Sequence, residues 1–229
     1  MLACVYDVHG NLPALEAVLA DAEAQGARRY VLGGDYALFG GWPAETVARL
    51  RELEPALWIR GNGERWTADP AAAPDNEVVP GAIEAARAAL GGELVAELDA
   101  LPALGEYEGT LICHGSPPSD VRSFLPRPLR DEAELLEGVS HRRVLFGHTH
   151  LPFRRISTTG GIELVNPGSV GMPFDGDPRA AYALIHPDRS VEHRRVEYDH
   201  QASAGRVREK GEPWAEIVAR RIEHASMDV

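Results

Sequence analysis

Residues 2–11 read LACVYDVHGN, an apolar run that stops at an aspartate and passes through a histidine and a glycine to an asparagine. A short apolar run bounded by a polar turn is the pattern of a strand buried on both faces, and the polar residues then stand at its carboxyl end. Helical spacing follows at once. Leu12, Leu15, Val18 and Leu19 share a face beside Pro13, and Gly26 ends the run. The unit then repeats: 30–35 (YVLGGD) predicts a second buried strand ending in a Gly-Gly-Asp turn, 43–53 (PAETVARLREL) a helix, and 56–62 (ALWIRGN) a third strand ending in a loop. This βαβαβ order predicts strands that all deliver polar residues to one edge, where open α/β sheets bind ligands.

Further along, residues 69–104 combine an Ala/Pro-rich stretch with Ala-rich helical segments, which predicts a helical surface insertion. Strand signals return from Tyr107, in 110–116 (TLICHGS), 143–150 (RVLFGHTH), 152–157, 161–169, 180–185 and 190–198, and a terminal helix is expected over 213–225. A βα-rich first half and a strand-rich second half fit two packed sheets flanked by helices, as a single α/β domain spanning 1–229.

Charge narrows the partners. Asp and Glu outnumber Lys and Arg by 35 to 23, a net −12, so the chain repels long phosphate backbones and extended nucleic acid is a poor partner. A small anionic substrate stays admissible if a local cation reverses the field. No apolar run approaches the roughly 18 residues of a membrane span, so no membrane association is expected. The acidic start lacks a secretory flank and there are only two cysteines, Cys4 and Cys113, so the expected address is the cytoplasm.

Each strand end in the β-rich parts carries a group able to bind metal: Asp7 and His9, Asp35, Asn62, His114, and His148 with His150. The two-residue spacings Asp7/His9 and His148/His150 would send both members of each pair to one side of an extended backbone. Any one pair alone is ordinary, since Gly-Asp and Gly-Asn are mostly turns. Their conjunction is not, because all seven follow apolar runs and so can converge on one edge. Imidazoles, carboxylates and an amide without thiolate suit manganese, iron, zinc, cobalt or nickel better than magnesium or calcium.

In this order the motifs resemble those of the calcineurin-like metallophosphoesterases, in particular a small bacterial phosphodiesterase-like branch: Asp7-Val-His9, Gly34-Asp35, Gly61-Asn62-Gly63-Glu64, His114 and Gly147-His148-Thr149-His150, with 166–185 resembling the stretch that follows. The resemblance implies a four-layer αββα sandwich and two divalent ions, manganese first among the candidates. It assigns Asp7, His9, Asp35 and His150 to one ion and Asp35, Asn62, His114 and His148 to the other, with Asp35 bridging. Asp35, Asn62 and His114 would serve catalysis, in which a hydroxide bridging two ions about 3.5 to 4 Å apart attacks phosphorus in line. One position departs from the pattern. The family carries a histidine where this chain has Gly63, and loss of such a general acid removes roughly 10² to 10⁴ in rate for a poor leaving group. The expected substrate is therefore a small phosphodiester, a nucleotide among the candidates, in preference to alkyl monoesters. A phosphomonoesterase, a nuclease and a catalytically weak protein-binding scaffold of the same fold are the competing readings, and a homo-oligomer is compatible with all of them.

Several residues carry two readings. Asn11 either contacts substrate phosphate or caps the following helix. Asn166 and Ser169 either hold a metal ligand in place or form a turn. Tyr36, Phe39, Trp42, Trp66 and Phe174 either stack on a base or pack internally. Cys113 neighbours His114 on the opposite strand face and reads as a buried thiol, and His141, His186, His193, His200 and His224 read as surface residues.

Overall fold

Ten strands form two mixed five-stranded sheets in the computed structural model, which describes residues 1–229. In chain order they are β1 (Leu2–Val5), β2 (Arg29–Leu32), β3 (Ala56–Trp58), β4 (Leu104–Tyr107) and β5 (Thr110–Cys113). The second half adds β6 (Arg143–Leu145), β7 (Phe153–Ile156), β8 (Glu163–Asn166), β9 (Ala180–Ile185) and β10 (Val191–Val196). The helices are α1 (Leu12–Ala24), α2 (Pro43–Arg51), α3 (Asn62–Ala68), α4 (Val79–Asp99), α5 (Glu132–Leu135), α6 (His200–Arg208) and α7 (Pro213–His224).

The first sheet runs β10-β9-β1-β2-β3, with β1, β2 and β3 parallel and β9 antiparallel to β1. The second runs β4-β5-β6-β8-β7, with β5, β6 and β8 parallel between two antiparallel edges. Alternation along β1 explains how they stack. Leu2, Cys4 and Tyr6 join Val31, Ile59, Ile112, Leu145 and Val165 in the core between the sheets. Ala3 and Val5 face the other way, onto Leu15, Val18 and Leu19 of α1 and Val47 and Leu50 of α2. Each fully buried side chain of this size contributes about 1.5 to 3 kcal/mol, so register is held from both faces of the strand. Over the second sheet the outer layer is thin: the four-residue α5 and adjoining loops bring Phe124, Leu135 and Leu136 against Val144, Phe146 and Leu164.

Three differences from the sequence-based expectation matter. β3 stops at Trp58, and Asn62 opens α3 where a loop was expected. β4 is an additional edge strand whose LGEY sequence alternates between exposed and half-buried positions, too short and polar to signal a strand. α6 is additional as well. It buries only small groups, Ser203, Ala204 and Val207, and its one local signal is the Asp199 cap accepting from the Ala202 amide at 2.9 Å. In 69–104 the long helix α4 kinks at Gly91 and packs Val79, Ala82, Ile83 and Ala86 into a cluster with Trp66 of α3 and Trp214 and Val218 of α7. No helix is long and apolar enough to cross a membrane.

Candidate metal centre

All seven residues singled out in the sequence gather at the carboxyl ends of parallel strands, Asp7 and His9 past β1, Asp35 past β2, Asn62 past β3, His114 past β5, and His148 and His150 past β6. The backbone reaches this arrangement differently from the extended geometry expected. Asp7, His9, Asp35, His148 and His150 all adopt left-handed conformations, with φ of 53°, 49°, 56°, 66° and 58°. Non-glycine residues rarely hold such angles, and they persist where surrounding structure enforces them. The enforcement is visible: the His9 amide donates to the Asp35 carbonyl at 2.9 Å and the Gly10 amide to the Tyr36 carbonyl at 2.8 Å, so the turns after β1 and β2 brace each other. Gly34 lets them meet the third turn. A Cβ there would stand 2.5 Å from the Gly61 nitrogen and 2.9 Å from His114 Nδ1.

Each of three buried imidazoles is oriented by a backbone carbonyl. His9 Nδ1 lies 3.0 Å from the Leu38 oxygen, His114 Nδ1 2.8 Å from that of Gly33, and His150 Nδ1 2.6 Å from that of Met172. A carbonyl only accepts, so each Nδ1 carries the proton and each Nε2 presents a lone pair. Those lone pairs converge. His9 Nε2 and His150 Nε2 are 3.0 Å apart, His150 Nε2 is 3.7 Å and His114 Nε2 3.8 Å from Asp7 Oδ1, and Asp35 lies 3.9 Å from His9 and 3.5 Å from His114 through its two oxygens. Two groups able to hold an ion result, Asp7 with His9 and His150, and Asp7 with Asp35 and His114.

Electrostatics of the bare protein oppose this crowding. Burial drives His9 down to about 3 and His150 well below the usual histidine range, while burial and then His114 draw His148 down to about 4. Burial raises the Asp7 carboxyl to about 8, and burial followed by the charge of Glu64 raises Asp35 well above the carboxylate range. Asp7 Oδ1 is buried without any hydrogen-bond partner. A pair of neutral imidazoles with lone pairs facing each other beside an orphaned carboxylate oxygen fits a cation and little else. The amide of Asn62 agrees. Its oxygen stands 3.0 Å from His114 Nε2, 2.8 Å from His148 Nδ1 and 3.2 Å from the Asp120 carbonyl oxygen, four acceptors around one point. Turning the amide would pair it with all three, so an ion favours one orientation and a bare site the other.

The surroundings hold these groups in place. Glu64 accepts from the Asp35, Tyr36 and Gly61 amides, each at 2.8 Å, and so ties the second turn to the third. Ser169 donates to the Asp7 carbonyl at 2.7 Å and accepts from the Met172 amide, while Asn166 donates to the Gly147 carbonyl and to Thr149 and closes its own turn onto Gly168. Each residue thus closes a turn and also braces a segment that carries a candidate ligand, Ser169 that of Asp7 and Asn166 that of His148. Gly63 does more than lack a side chain: its amide donates to Asp35 Oδ1 at 2.7 Å, and a Cβ there would fall 2.9 Å from that oxygen.

Asn11 requires a correction. It caps α1 by accepting from the Ala14 amide, donates to the Gly171 carbonyl and the Tyr198 hydroxyl, and accepts from Ser203, which commits the whole amide to the fold and leaves nothing for a substrate phosphate. The aromatics divide. Tyr36 is fully buried, Trp42 lies under Arg206, and Phe39, Trp66 and Phe174 line a cavity of about 370 Å³ that opens on His9, Asp35, Asn62, His148 and His150. Phe174 stacks on His150 at 4.4 Å. Cys113 is buried, and none of the five remaining histidines lines the cavity. Sequence reasoning missed the carbonyls that orient the imidazoles, the triple acceptance by Glu64, and Arg221, which also lines the cavity.

A family model described as the calcineurin-like phosphoesterase superfamily domain matches residues 1–190. The chain is 29% identical over 192 residues to phosphodiesterase YfcE of Escherichia coli, covering 80% of this chain and 85% of that one. A metallophosphoesterase from Sphaerobacter thermophilus superimposes with a TM-score of 0.84 at 29% identity, over 98% of both chains. The hypothetical protein PH1004 from Pyrococcus horikoshii shares the fold, with a TM-score of 0.82 at 21% identity over 99% of both chains.

Proposed function

This chain belongs to the calcineurin-like phosphoesterase superfamily, and from that premise we propose that it is a phosphodiesterase working with two divalent ions on a small phosphodiester, with nucleotides as the candidate class. The observation that carries the reading is the 3.0 Å approach of two bare imidazole nitrogens, His9 Nε2 and His150 Nε2, beside the unpartnered Asp7 Oδ1. Asp7, His9, Asp35 and His150 would hold one ion, and Asp35, Asn62, His114 and His148 the other, with Asp35 shared. Nitrogen and oxygen donors without thiolate suit manganese, iron, zinc, nickel or cobalt, and the family resemblance puts manganese first among them. When bound, such ions neutralise phosphoryl oxygens and lower the pKa of a water into the neutral range.

The chain's own residues do the rest. His9 and His150 keep the tautomer that leaves Nε2 free, so they offer lone pairs at neutral pH without first losing a proton, and the Gly33 carbonyl turns the His114 ring to the same centre. Glu64 and Ser169 fix the turns that carry Asp35 and Asp7. No proton donor stands at residue 63, and the cavity imidazoles are neutral and turned to the centre, so a leaving group must depart largely as its own anion. This favours diesters with acidic leaving groups. The name of the YfcE relative agrees with the reading. Two free buried thiols, Cys4 and Cys113, suit the cytoplasm.

The test compares manganese-loaded wild type with Asp35→Asn on bis-p-nitrophenyl phosphate and p-nitrophenyl phosphate. Metal-dependent turnover that favours the diester and vanishes in Asp35→Asn is expected. A strong monoester preference overturns the diester assignment, and equal inactivity of both proteins over several metals and a broad ester panel favours the binding-scaffold reading.

A further inference from the structure

The cavity that opens on the candidate centre also takes in a cation, Arg221, that forms no ion pair with the acids acting on it, Asp228 and Glu77, the latter on the same cavity wall. Arg221 lies on α7, beyond the residues matched by the family model, and shares the cavity wall with Phe39, Trp66 and Phe174. The two arginines of α6 are paired, Arg206 with Glu209 and Arg208 with both Glu216 and Glu223. Arg221 is not. Its side chain is half-buried and its Nε is enclosed with no acceptor. Burial draws the guanidinium below its usual range, and the acids acting on it are Asp228 and Glu77, not the carboxylates of the centre. It therefore stands apart from Asp7 and Asp35 while facing the same space.

A guanidinium in this state lacks what an oxyanion supplies, two acceptors in the plane of its fork. Its Nε donor, already withdrawn from water, gains more from such a ligand than an exposed one would. The cavity volume, about 370 Å³, lies near the lower end for small-molecule sites, which suits a mononucleotide-sized ligand. Building on the phosphodiesterase reading above, we propose that Arg221 is a specificity residue: it binds a second oxyanion of the substrate, a phosphate or a carboxylate remote from the reacting phosphorus, whose organic portion packs on Phe39, Trp66 and Phe174.

The test pairs binding with turnover on manganese-loaded protein. Calorimetry compares thymidine 5′-phosphate with thymidine 3′,5′-bisphosphate and with the 3′-O-carboxymethyl analogue of the monophosphate, which separates phosphate from carboxylate. Kinetics compare thymidine 5′-(p-nitrophenyl phosphate) with and without a 3′-phosphate. Wild type should favour the ligand with the second anion by about tenfold or more, expressed in Kd and KM. Arg221→Met, which keeps the apolar stem, should bring the ratio close to one at unchanged manganese content, and Arg221→Lys should give an intermediate ratio. A wild type without the preference, or a preference that survives Arg221→Met, overturns the proposal. A binding preference that follows Arg221 in a protein with no turnover supports the anion site and overturns only the enzymatic reading.

Discussion

Removing the Glu64 carboxylate should loosen two turns of the centre at once. Oε2 accepts from the Asp35 and Gly61 amides and Oε1 from the Tyr36 amide, and the residue is 4% exposed. Glu64→Ala leaves three buried N–H groups without an acceptor at about 1 to 3 kcal/mol each, and water entering part of the space brings the expected loss to about 3 to 6 kcal/mol. Glu64→Gln retains one oxygen. Placed at Oε2 it serves two of the amides while its NH₂ opposes the third, for about 1.5 to 3 kcal/mol. A domain's whole stability is about 5 to 15 kcal/mol, so the alanine variant sits near the margin and the glutamine variant folds. Urea unfolding of metal-free protein reads these losses. Manganese titration of Glu64→Gln should show affinity reduced by about tenfold or more, because Asp35 and Asn62 ride on the turns that the carboxylate joins. Variants within about 1 kcal/mol of wild type, with unchanged manganese affinity, refute the reasoning.

Stability should depend on pH in a direction set by the centre. In metal-free protein Asp7 is raised from 3.8 to about 8, so the stability it lends is complete below pH 3.8 and lost as pH rises through 8; Asp35 acts in the same sense. His9, lowered from 6.5 to about 3, lends stability present above pH 6.5 and lost as pH falls through 3. Between pH 6.5 and 8 the carboxylates dominate, at up to about 1.4 kcal/mol per pH unit for each proton, so the Tm gain on adding manganese should grow across that interval. A gain that is flat or shrinks contradicts the assignment. Gly63→His should not create a monoesterase: its Cβ presses on Asp35 Oδ1, so about tenfold weaker manganese binding is expected, and faster p-nitrophenyl phosphate hydrolysis would count against this. Asn11→Ala should cost about 2 to 4 kcal/mol in urea unfolding and change KM little, whereas a large KM effect without destabilisation would restore Asn11 as a substrate contact.

The ligand candidates were legible because each follows an apolar run, and chain chemistry at strand ends survives any detail of turn geometry. How the turns are built was not. Left-handed backbone at Asp7, His9, Asp35, His148 and His150 depends on bonds to residues remote in sequence, as His9 to Asp35 and His150 to Met172 illustrate. Asn11 shows the converse, since its cap was written locally while its bonds to Gly171 and Ser203 were not. The two sheets followed from patterning. β4 and α6 escaped it because an exposed edge and a helix burying only small residues carry almost no periodic signal. Arg221 had none at all: what marks it is the absence of a partner, which only three-dimensional packing reveals.

The most direct test of the central claim is the metal content of the manganese-loaded chain after exhaustive dialysis, measured by plasma mass spectrometry beside Asp35→Asn. Two ions per wild-type chain, with fewer retained by Asp35→Asn, is the predicted result. Fewer than two in the wild type, or a count indifferent to Asp35, would contradict the shared-carboxylate centre on which the functional reading rests.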